Sequence, residues 1–244
     1  MNSAMTSLLR GLADVVFPPV CVHCQGLVEN SPLRHVCAGC VRKIERVRAP
    51  YCSTCGHPFY GEVEGERMCP HCAGFSPAFR EGRTAVVLKG PARSLVLTLK
   101  YHRGLHVLED ITTLFREAEG LTAWVRDAVL IPVPLHPRKE RERGYNQSQL
   151  IAECLVRAAG GDTRVAPLIR RVVDTVSQTH HDKKTRLANL KNAFALEEGA
   201  AITADQHYFL IDDVFTTGST LNSCALVLRR TGCLNLDVVT FGHG

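Results

Sequence analysis

The stretch that decides the fold runs from residue 207 to residue 220 and is His-Tyr-Phe-Leu-Ile-Asp-Asp-Val-Phe-Thr-Thr-Gly-Ser-Thr. A short apolar run, Tyr208 to Ile211, ends in Asp212 and Asp213, and a loop of hydroxyl and glycine residues follows. An amphipathic run from Leu221 to Arg230 comes next. This order predicts a buried strand, a turn and a helix.

The predicted turn has the chemistry of an anion-binding loop. Gly218 allows a positive φ, and the amides of Thr216 to Thr220, at a helix N-terminus, would direct their N–H groups at an anion. The carboxylates of Asp212 and Asp213 are suited to accept hydrogen bonds from a diol or to face a hydrated Mg²⁺. A ribose 5-phosphate would satisfy both halves. The alternative is a well-capped turn without a ligand, although capping needs one Ser, Thr or Asp rather than this whole set.

The overall composition is typical of a soluble globular protein. The chain has 244 residues, 45% hydrophobic and 22% charged, which allows one good domain and a small one. The apolar segment Leu8 to Phe17 is interrupted by Arg10 and Asp14, so we expect neither a membrane-inserted helix nor a signal peptide. A cytoplasmic location is the expectation.

Positive charge is concentrated in one part of the chain. The formal net charge is +5, and residues 130–191 hold 12 Lys and Arg against 6 Asp and Glu. A local basic surface of this kind would attract a polyanionic small substrate or a nucleic-acid backbone.

Cysteines are clustered near the N-terminus in four Cys-x-x-Cys pairs. Eight of the eleven cysteines lie in this segment: Cys21, Cys24, Cys37, Cys40, Cys52, Cys55, Cys69 and Cys72. In a chain without a secretion signal this spacing favours zinc over disulfides. The simplest assignment gives the first four cysteines to one Zn²⁺ and the last four to a second. Interleaved pairing, or a ligand from His23, His35, His57 or His71, stays open.

These predicted zinc sites are structural rather than catalytic, because four thiolates leave no open position for water. Metal binding would supply most of the folding free energy of so small a segment. The alternative is a zinc ribbon that contacts nucleic acid or a protein partner through a basic cluster. That cluster comprises Arg42, Lys43, Arg46 and Arg48.

The chain divides near residues 73–82, where Gly and Pro interrupt it. Residues 1–79 are predicted to form an N-terminal helix, Thr6 to Phe17, and a double Cys₄ zinc-ribbon module. Residues 80–244 are predicted to form an α/β domain with a parallel sheet, because strand and helix patterns alternate. The predicted strands are Thr84 to Leu88, Ala128 to Val133, Tyr208 to Ile211 and Leu236 to Phe241, and the main predicted helices are Pro91 to Tyr101, Leu105 to Arg116 and Asn146 to Ala159.

A loop dense in arginine is predicted directly after the strand Ala128 to Val133. At the carboxyl edge of a parallel sheet, arginine forks are suited to pyrophosphate oxygens. The candidate ligands here are Arg138, Lys139, Arg143 and Asn146, with Lys100 at the end of a preceding helix. A solvated charged loop is the alternative.

Residues 175–189 form a polar, basic stretch without strong periodicity. This stretch is predicted to be a mobile hood over the site. Its candidate ligand contacts are Gln178, Lys183, Lys184, Arg186 and Asn189. A surface loop without contacts to a ligand is the alternative for each of them.

The acidic strand and its loop resemble the signature of type I phosphoribosyltransferases. In that family the acidic pair holds the ribose hydroxyls and the loop holds the 5-phosphate of 5-phosphoribosyl 1-pyrophosphate (PRPP). The resemblance therefore implies roles for Asp212 and Asp213 at the ribose. It implies a 5-phosphate loop formed by Val214, Phe215, Thr216, Thr217, Gly218, Ser219 and Thr220.

Nearly the whole chain resembles the ComF family. The resemblance rests on the four Cys-x-x-Cys pairs, the Pro-Val-Pro-Leu-His-Pro-Arg and Arg-Gly-Tyr-Asn-Gln segments, and the Asp-Asp-Val-Phe-Thr-Thr-Gly-Ser-Thr loop. It implies a zinc-ribbon module fused to a type I phosphoribosyltransferase domain, PRPP binding with Mg²⁺, and a role in natural competence, the uptake of single-stranded DNA. Single-stranded DNA and a helicase-like competence protein are the implied partners. The alternative is an active phosphoribosyltransferase of nucleotide metabolism, and whether the chain is an enzyme stays open.

Overall fold

The structure, a computed structural model, describes residues 18–61, 68–172 and 193–244. The predicted helix Thr6 to Phe17 and the predicted hood at residues 175–189 lie outside the described residues.

Helices and strands alternate after the cysteine-rich segment, as an α/β domain requires. In chain order the described elements are α1 (Ala38–Val41), β1 (Gly82–Val87), α2 (Gly90–Tyr101), a 3₁₀ turn (Leu105–Val107), α3 (Leu108–Glu117), α4 (Leu121–Trp124), β2 (Val129–Pro132), α5 (Pro137–Arg143), α6 (Gln147–Ala159), β3 (Arg164–Val165), β4 (Ile169–Arg171), β5 (Phe194–Leu196), β6 (His207–Phe215), α7 (Ser219–Arg230) and β7 (Asn235–His243).

Five strands form one parallel sheet in the order β1-β7-β6-β2-β3. Strands β4 and β5 pair separately as a two-stranded antiparallel sheet. Because all five strands of the large sheet are parallel, their carboxyl ends meet at one edge, where α/β folds bind ligands. Strand β6, which carries the acidic pair, lies in the middle of the sheet.

Both faces of the large sheet are covered by apolar residues, and alternate residues of each strand face opposite sides. Phe209 and Ile211 join the core on one face with α2, α3 and α6. Tyr208 and Leu210 join the core on the other face with α7. Side chains alternate along a strand, so an uninterrupted apolar run is what a parallel strand buried on both faces needs.

The cysteine-rich segment covers the free edge of β1. The Val47 amide donates to the Ala85 carbonyl (3.0 Å), and the Val87 amide donates to the Glu45 carbonyl (2.9 Å). The Gly82 amide donates to the Ser53 carbonyl (2.7 Å). These bonds occupy backbone groups that an edge strand would otherwise leave unpaired. The predicted division between residues 79 and 80 stays a prediction.

Gly82 is required by this close packing. A Cβ atom at Gly82 would lie 2.3 Å from the carbonyl oxygen of Thr54, a distance at which the two backbones would have to separate.

The fold class predicted from the sequence is confirmed: an α/β domain with a parallel sheet follows a cysteine-rich zinc-ribbon segment. Two local predictions are wrong. The segment after β2 is not an open loop, because Pro137–Arg143 forms the short helix α5. Strand β6 does not end at Ile211; it continues to Phe215 and includes both aspartates.

Candidate functional site

The acidic pair lies near the carboxyl end of β6, where its two side chains meet different partners. Ser148 Oγ donates to Asp212 Oδ1 at 2.8 Å, and the Asp213 amide donates to the same oxygen at 2.9 Å. Burial and the neighbouring Asp213 carboxylate raise the pKa of Asp212 to about 8, although the hydrogen bond from Ser148 opposes this shift. Asp212 therefore holds a proton more readily than an ordinary aspartate.

Asp213 is the centre of a buried ionic network. Its side chain is 6% exposed, and Lys100 Nζ forms an ion pair with Oδ2. Gln147 Nε2 contacts Oδ1 at 3.3 Å, and Arg143 Nη1 donates to Gln147 Oε1. The chain of contacts links α2, α5 and α6 to the strand that carries the acidic pair. Tertiary packing thus brings together groups from four separate elements.

A cavity of about 310 Å³ opens beside this network. It is lined by four cationic residues, one acid and one aromatic residue: Lys100, Arg103, Lys139, Arg143, Glu142 and Tyr101. The Tyr101 side chain is 68% exposed. The lining has the charge of a site for a polyanion and offers an aromatic surface at its wall.

The hydroxyl-rich loop connects β6 to α7 at the same edge of the sheet. Gly218 has φ +69° and is the residue before the first turn of α7. It cannot supply the side-chain oxygen that usually caps a helix. Among the described residues, the Ser219 amide has one long side-chain contact, 3.4 Å to Thr217 Oγ1. An anion would complete the hydrogen bonding of these amides and would meet the positive end of the helix dipole.

The loop is shorter than the sequence indicates. Val214 and Phe215 belong to β6, and Phe215 is 2% exposed with its ring stacked on His243. Ser219 and Thr220 form the first turn of α7. The connecting residues are Thr216, Thr217 and Gly218, so the Phe215 side chain packs in the core rather than facing a ligand.

Other predicted residues have different surroundings. Lys139 lines the cavity, whereas Arg138 is 68% exposed and pairs with Glu142 at 3.1 Å. Asn146 caps α6 by accepting from the Ser148 amide (3.0 Å), and its own amide group donates to the Val133 carbonyl (3.0 Å). The side-chain oxygen and nitrogen of Asn146 therefore bond to backbone groups and do not face the cavity. Lys183, Lys184, Arg186, Gln178 and Asn189 lie outside the described residues.

Five residues of this site are not among those predicted from the sequence: Tyr101, Arg103, Glu142, Gln147 and Ser148. Gln147 and Ser148 are the first residues of α6, next to the predicted Asn146. A helix that starts at the carboxyl edge of the sheet presents its first turn to the ligand side. That position was a usable signal for both residues.

The eight cysteines form the two tetrads that the spacing predicts. The sulfur atoms of Cys21, Cys24, Cys37 and Cys40 lie within 4.8 Å of one another, and so do those of Cys52, Cys55, Cys69 and Cys72. The Cys24–Cys37 and Cys55–Cys69 sulfur pairs are each 3.6 Å apart. A tetrahedral Zn²⁺ site with bonds of about 2.3 Å places its sulfurs about 3.8 Å apart. The residues present therefore fit structural zinc, and neither tetrad needs a histidine.

The two cysteine segments repeat the same backbone pattern. The Cys21 amide donates to the Gly26 carbonyl and the Cys52 amide to the His57 carbonyl, both at 2.8 Å. The Val28 and Phe59 amides donate to Pro19 and Pro50, both at 2.9 Å. The segment is thus a pair of equivalent ribbons, one for each tetrad.

No helix in the described ranges is long and apolar enough to cross a membrane.

Comparison with known proteins agrees with the cysteine geometry and places the chain among its relatives. A family model described as "Double zinc ribbon domain" matches residues 12–73. The chain is 29% identical over 226 residues to "Competence protein F" of Haemophilus influenzae, which covers 89% of this chain and 94% of that protein. It is 31% identical over 212 residues to "DNA utilization protein YhgH" of Salmonella typhimurium, covering 83% of this chain and 88% of that protein. It is 25% identical over 208 residues to "Competence protein ComFC" of Bacillus subtilis, covering 83% and 81%.

The two ribbons and the five-stranded parallel sheet define an α/β protein that carries a double zinc ribbon. The identity to these relatives extends over most of both chains. The chain belongs to the ComF family.

Solved structures give partial superpositions. A hypoxanthine phosphoribosyltransferase from Staphylococcus aureus aligns with a TM-score of 0.34 at 17% identity, covering 55% of this chain and 62% of that chain. A purine phosphoribosyltransferase from Pyrococcus horikoshii aligns with a TM-score of 0.31 at 10% identity, covering 56% and 82%. The parallel sheet and the ribbons, rather than these superpositions, define the fold.

Proposed function

We propose that this chain binds PRPP at the carboxyl edge of its sheet and acts in DNA uptake during natural competence. One observation carries the PRPP proposal: Lys100, which lines the cation-lined cavity, forms an ion pair with Asp213, and the hydroxyl-rich loop follows the acidic pair at the end of the same strand. The names of the relatives, a competence protein and a DNA utilization protein, support the biological role.

Each part of PRPP has a chemically suited partner at this edge. The 5-phosphate would lie at Thr216 to Thr220, where amides and hydroxyls supply donors. The ribose hydroxyls would donate to Asp212 and Asp213. The pyrophosphate would enter the cavity, where Lys100, Lys139 and Arg143 carry positive charge. Hydrogen-bond donors, carboxylates and cations thus follow one another in the same order as the 5-phosphate, the ribose and the pyrophosphate of PRPP.

Mg²⁺ fits the acidic edge of the proposed site. Both hydrogen bonds that the described residues make to the Asp212 carboxylate fall on Oδ1, and carboxylate oxygens are the ligands that Mg²⁺ prefers. When bound with PRPP, Mg²⁺ would offset the negative charge of the pyrophosphate. Asp213 is already engaged by Lys100 and Gln147, so Asp212 is the better candidate ligand, and a bound cation would favour its ionised form over the protonated form.

An active phosphoribosyltransferase is the enzymatic form of this proposal. A nucleophilic acceptor would form a bond to C1 of the ribose while the bond from C1 to the pyrophosphate oxygen breaks and pyrophosphate leaves. Lys100 and Arg143 would stabilise the charge that grows on the leaving group. Release of pyrophosphate from PRPP across a panel of nitrogen acceptors tests this form, and no release with any acceptor leaves a binding protein.

Titration of the zinc-loaded protein with PRPP, with and without Mg²⁺, tests the binding proposal. We expect saturable binding that the Asp212→Ala/Asp213→Ala double variant loses. Asp205→Ala, which removes an exposed carboxylate just before β6, is the matched control and should bind as the wild type does. Absence of wild-type binding, or equal binding by the double variant, refutes the proposed site.

A second candidate function is binding of single-stranded DNA, favoured by an exposed aromatic ring among cations. Tyr101 is 68% exposed beside Lys100, Arg103, Lys139 and Arg143. Bases stack on exposed aromatic rings while cations contact the backbone.

Fluorescence anisotropy with a labelled oligonucleotide tests the second candidate. If three or four cations contact phosphates, the slope of log affinity against log salt should be roughly −2 to −3. Tyr101→Ala should weaken binding, whereas Tyr60→Ala, which removes a ring that is 71% exposed on a ribbon, should not. Equal effects of the two substitutions, or binding independent of salt, count against this surface.

The proposal also covers the cellular location, the domain division and the protein partner of this chain. We place it in the cytoplasm, with residues 1–79 as the ribbon module and residues 80–244 as the PRPP-binding domain. A helicase-like competence protein is the partner proposed for the ribbons.

A further inference from the structure

The second ribbon, residues 51–61 and 68–79 around Cys52, Cys55, Cys69 and Cys72, packs directly under the hydroxyl-rich loop. A Cβ atom at Gly218 would lie 3.2 Å from Phe75 Cε1 and 2.7 Å from Phe215 Cζ. Two aromatic rings therefore contact the loop at its one left-handed residue. The Phe75 ring comes from the chain just after the last zinc-binding cysteine.

The same ribbon segment is bonded to the helix that follows the loop. The Ala78 amide donates to Asn222 Oδ1 at 2.7 Å, and Arg229 Nε donates to the Ala78 carbonyl at 2.6 Å. Asn222 lies in the first turn of α7 and Arg229 in its last turn. The segment thus holds both ends of the helix whose first turn borders the candidate phosphate position.

A third connection passes through histidine rings. His57 lies two residues after Cys55, and its ring is 4.8 Å from the His243 ring. The His243 ring stacks on Phe215 at 5.8 Å with an interplanar angle of 8°. All four cysteines of this tetrad are at most 2% exposed. The second tetrad and the strand end that carries the loop therefore share one continuous core.

The first ribbon, which carries Cys21, Cys24, Cys37 and Cys40, packs on the face of the sheet opposite to α7. Cys21 and Cys40 belong to the core that contains α2, α3 and α6, and the Arg34 and His35 amides donate to Asp110 of α3. Cys24 of this tetrad is exposed. The two zinc sites thus have different neighbours, although their cysteine spacing is alike.

We propose that the second zinc site positions the hydroxyl-rich loop through Phe75, Ala78 and His57. The first zinc site has no such role. The loop of Thr216, Thr217 and Gly218 has small side chains and little packing of its own, so its shape depends on the surface beneath it. A metal that closes the tetrad fixes residues 69–72 and with them residues 75–79. Preorganised amides bind an anion more tightly than amides that must be ordered on binding. This inference rests on the proposed function only in taking a phosphate as the ligand of the loop.

Two small ligands distinguish binding at the hydroxyl-rich loop from binding at the cation-lined cavity. Ribose 5-phosphate probes the loop and the acidic pair, and inorganic pyrophosphate probes the cation-lined cavity. We expect Phe75→Ala and Asn222→Ala to weaken ribose 5-phosphate binding by about five- to tenfold. Pyrophosphate binding should change by less than about twofold, because the cavity residues do not contact the second ribbon through these groups. Phe75→Leu, which keeps apolar volume under Gly218, should recover part of the lost affinity.

Thr231→Val is the matched control for Asn222→Ala. Thr231 Oγ1 donates to the Leu228 carbonyl at the other end of α7, so this substitution removes a side-chain hydrogen bond of the same helix away from the loop. Its ribose 5-phosphate affinity should equal that of the wild type.

Hydrogen exchange of the amides of residues 216–222 provides a readout that needs no ligand. Exchange should be faster in Phe75→Ala and Asn222→Ala than in the wild type and in Thr231→Val. The zinc itself is tested by Cys69→Ser and Cys37→Ser, each expected to lose one zinc per chain, and only Cys69→Ser should speed exchange in the loop.

The outcomes distinguish this inference from the proposed function. If the wild type binds neither ribose 5-phosphate nor PRPP, the proposed function fails, and loop exchange still decides the positioning role. If the wild type binds and Phe75→Ala and Asn222→Ala match it in affinity and exchange, the positioning role is overturned and the function stands. Equal loss of ribose 5-phosphate and pyrophosphate binding also overturns it, because general destabilisation would affect both.

Discussion

Replacing Lys100 by methionine tests whether the ion pair with Asp213 stabilises the candidate site. The Asp213 side chain is 6% exposed and the Lys100 side chain 23% exposed. Removing the ammonium group therefore leaves a carboxylate with little access to water. Removing one partner of a buried ion pair costs about 3–5 kcal/mol. Because Lys100 is partly solvated and Gln147 still contacts Asp213, we expect the free energy of unfolding to fall by about 2–3 kcal/mol.

A double-mutant cycle isolates the ion pair itself. Asp213→Asn alone should cost about 1 kcal/mol, since the Lys100 ammonium can turn to water. Adding Asp213→Asn to Lys100→Met removes the buried charge, so the double variant should be more stable than Lys100→Met. The expected coupling free energy between the two positions is about 2 kcal/mol.

Urea unfolding with zinc in excess measures these free energies. Trp124 is the only tryptophan of the chain and its ring is 4.7 Å from the buried ring of Phe209, so its fluorescence reports loss of the core. Lys139→Met removes a second cation from the same cavity and should change the free energy by less than about 0.5 kcal/mol. The reasoning is refuted if Lys100→Met is as stable as Lys139→Met, or if the double variant is no more stable than Lys100→Met.

The first ribbon, the zinc sites and a buried carboxylate give three further expectations. Asp110→Ala removes the acceptor of two backbone amides, at 2.7 and 2.8 Å, and should cost about 2–4 kcal/mol in urea unfolding; an equal effect of exposed Asp162→Ala would contradict this role. Metal analysis should find about two zinc ions per chain, and a zinc-free folded protein would disprove both sites. Burial tends to raise the pKa of Asp237, but hydrogen bonds from His207 and Arg80 outweigh it and hold that pKa below its usual value. Asp237 therefore stabilises the fold above the ordinary carboxyl pKa of about 4, and this stability is lost as the pH falls through the lowered pKa. Asp237→Asn should lose less stability than the wild type between pH 5 and pH 3.5, and equal losses would contradict the assignment.

Strand β6, which carries the acidic pair, shows how much of the structure a local sequence pattern can predict. The apolar run Tyr208 to Ile211 predicted a buried strand correctly, because a strand covered on both faces needs consecutive apolar residues. The pattern places the end of the strand at Ile211, before the first charged residue, whereas the strand continues to Phe215. The strand continues through Asp212 and Asp213 because its backbone goes on pairing with β7 as far as Phe215. Lys100, Gln147 and Ser148 supply the partners that let the two carboxylates be buried there. Those partners are remote in sequence, so no local pattern could indicate them.

Helix α5 was missed for a different reason. It has Pro137 in its first turn and an Arg138–Glu142 pair four residues apart, both ordinary helix signals. None of its residues is buried, and a helix without an apolar face has no hydrophobic periodicity to reveal it.

The cysteine tetrads were predictable because their chemistry is local. Each Cys-x-x-Cys turn places two thiolates on one edge of a tetrahedron, so spacing alone pairs neighbouring turns. The sheet faces against which the two ribbons pack were not predictable, because the two ribbons have nearly the same cysteine spacing and the same backbone hydrogen-bond pattern. Their different neighbours come from residues such as Asp110 and Phe75.

The sequence by itself determined the two zinc ribbons, the α/β class, the buried acidic strand and its hydroxyl-rich turn. The strand, the turn and each Cys-x-x-Cys pair depend on residues within a few positions of one another, and the ribbons and the α/β class depend on the order of such local patterns along the chain. Only the tertiary structure decided that Lys100, Gln147 and Ser148 meet the acidic pair, and that Phe75 lies under Gly218. The physical reason is that such contacts join elements more than 60 residues apart, and the packing of helices across the sheet, rather than any local preference, sets which side chains meet.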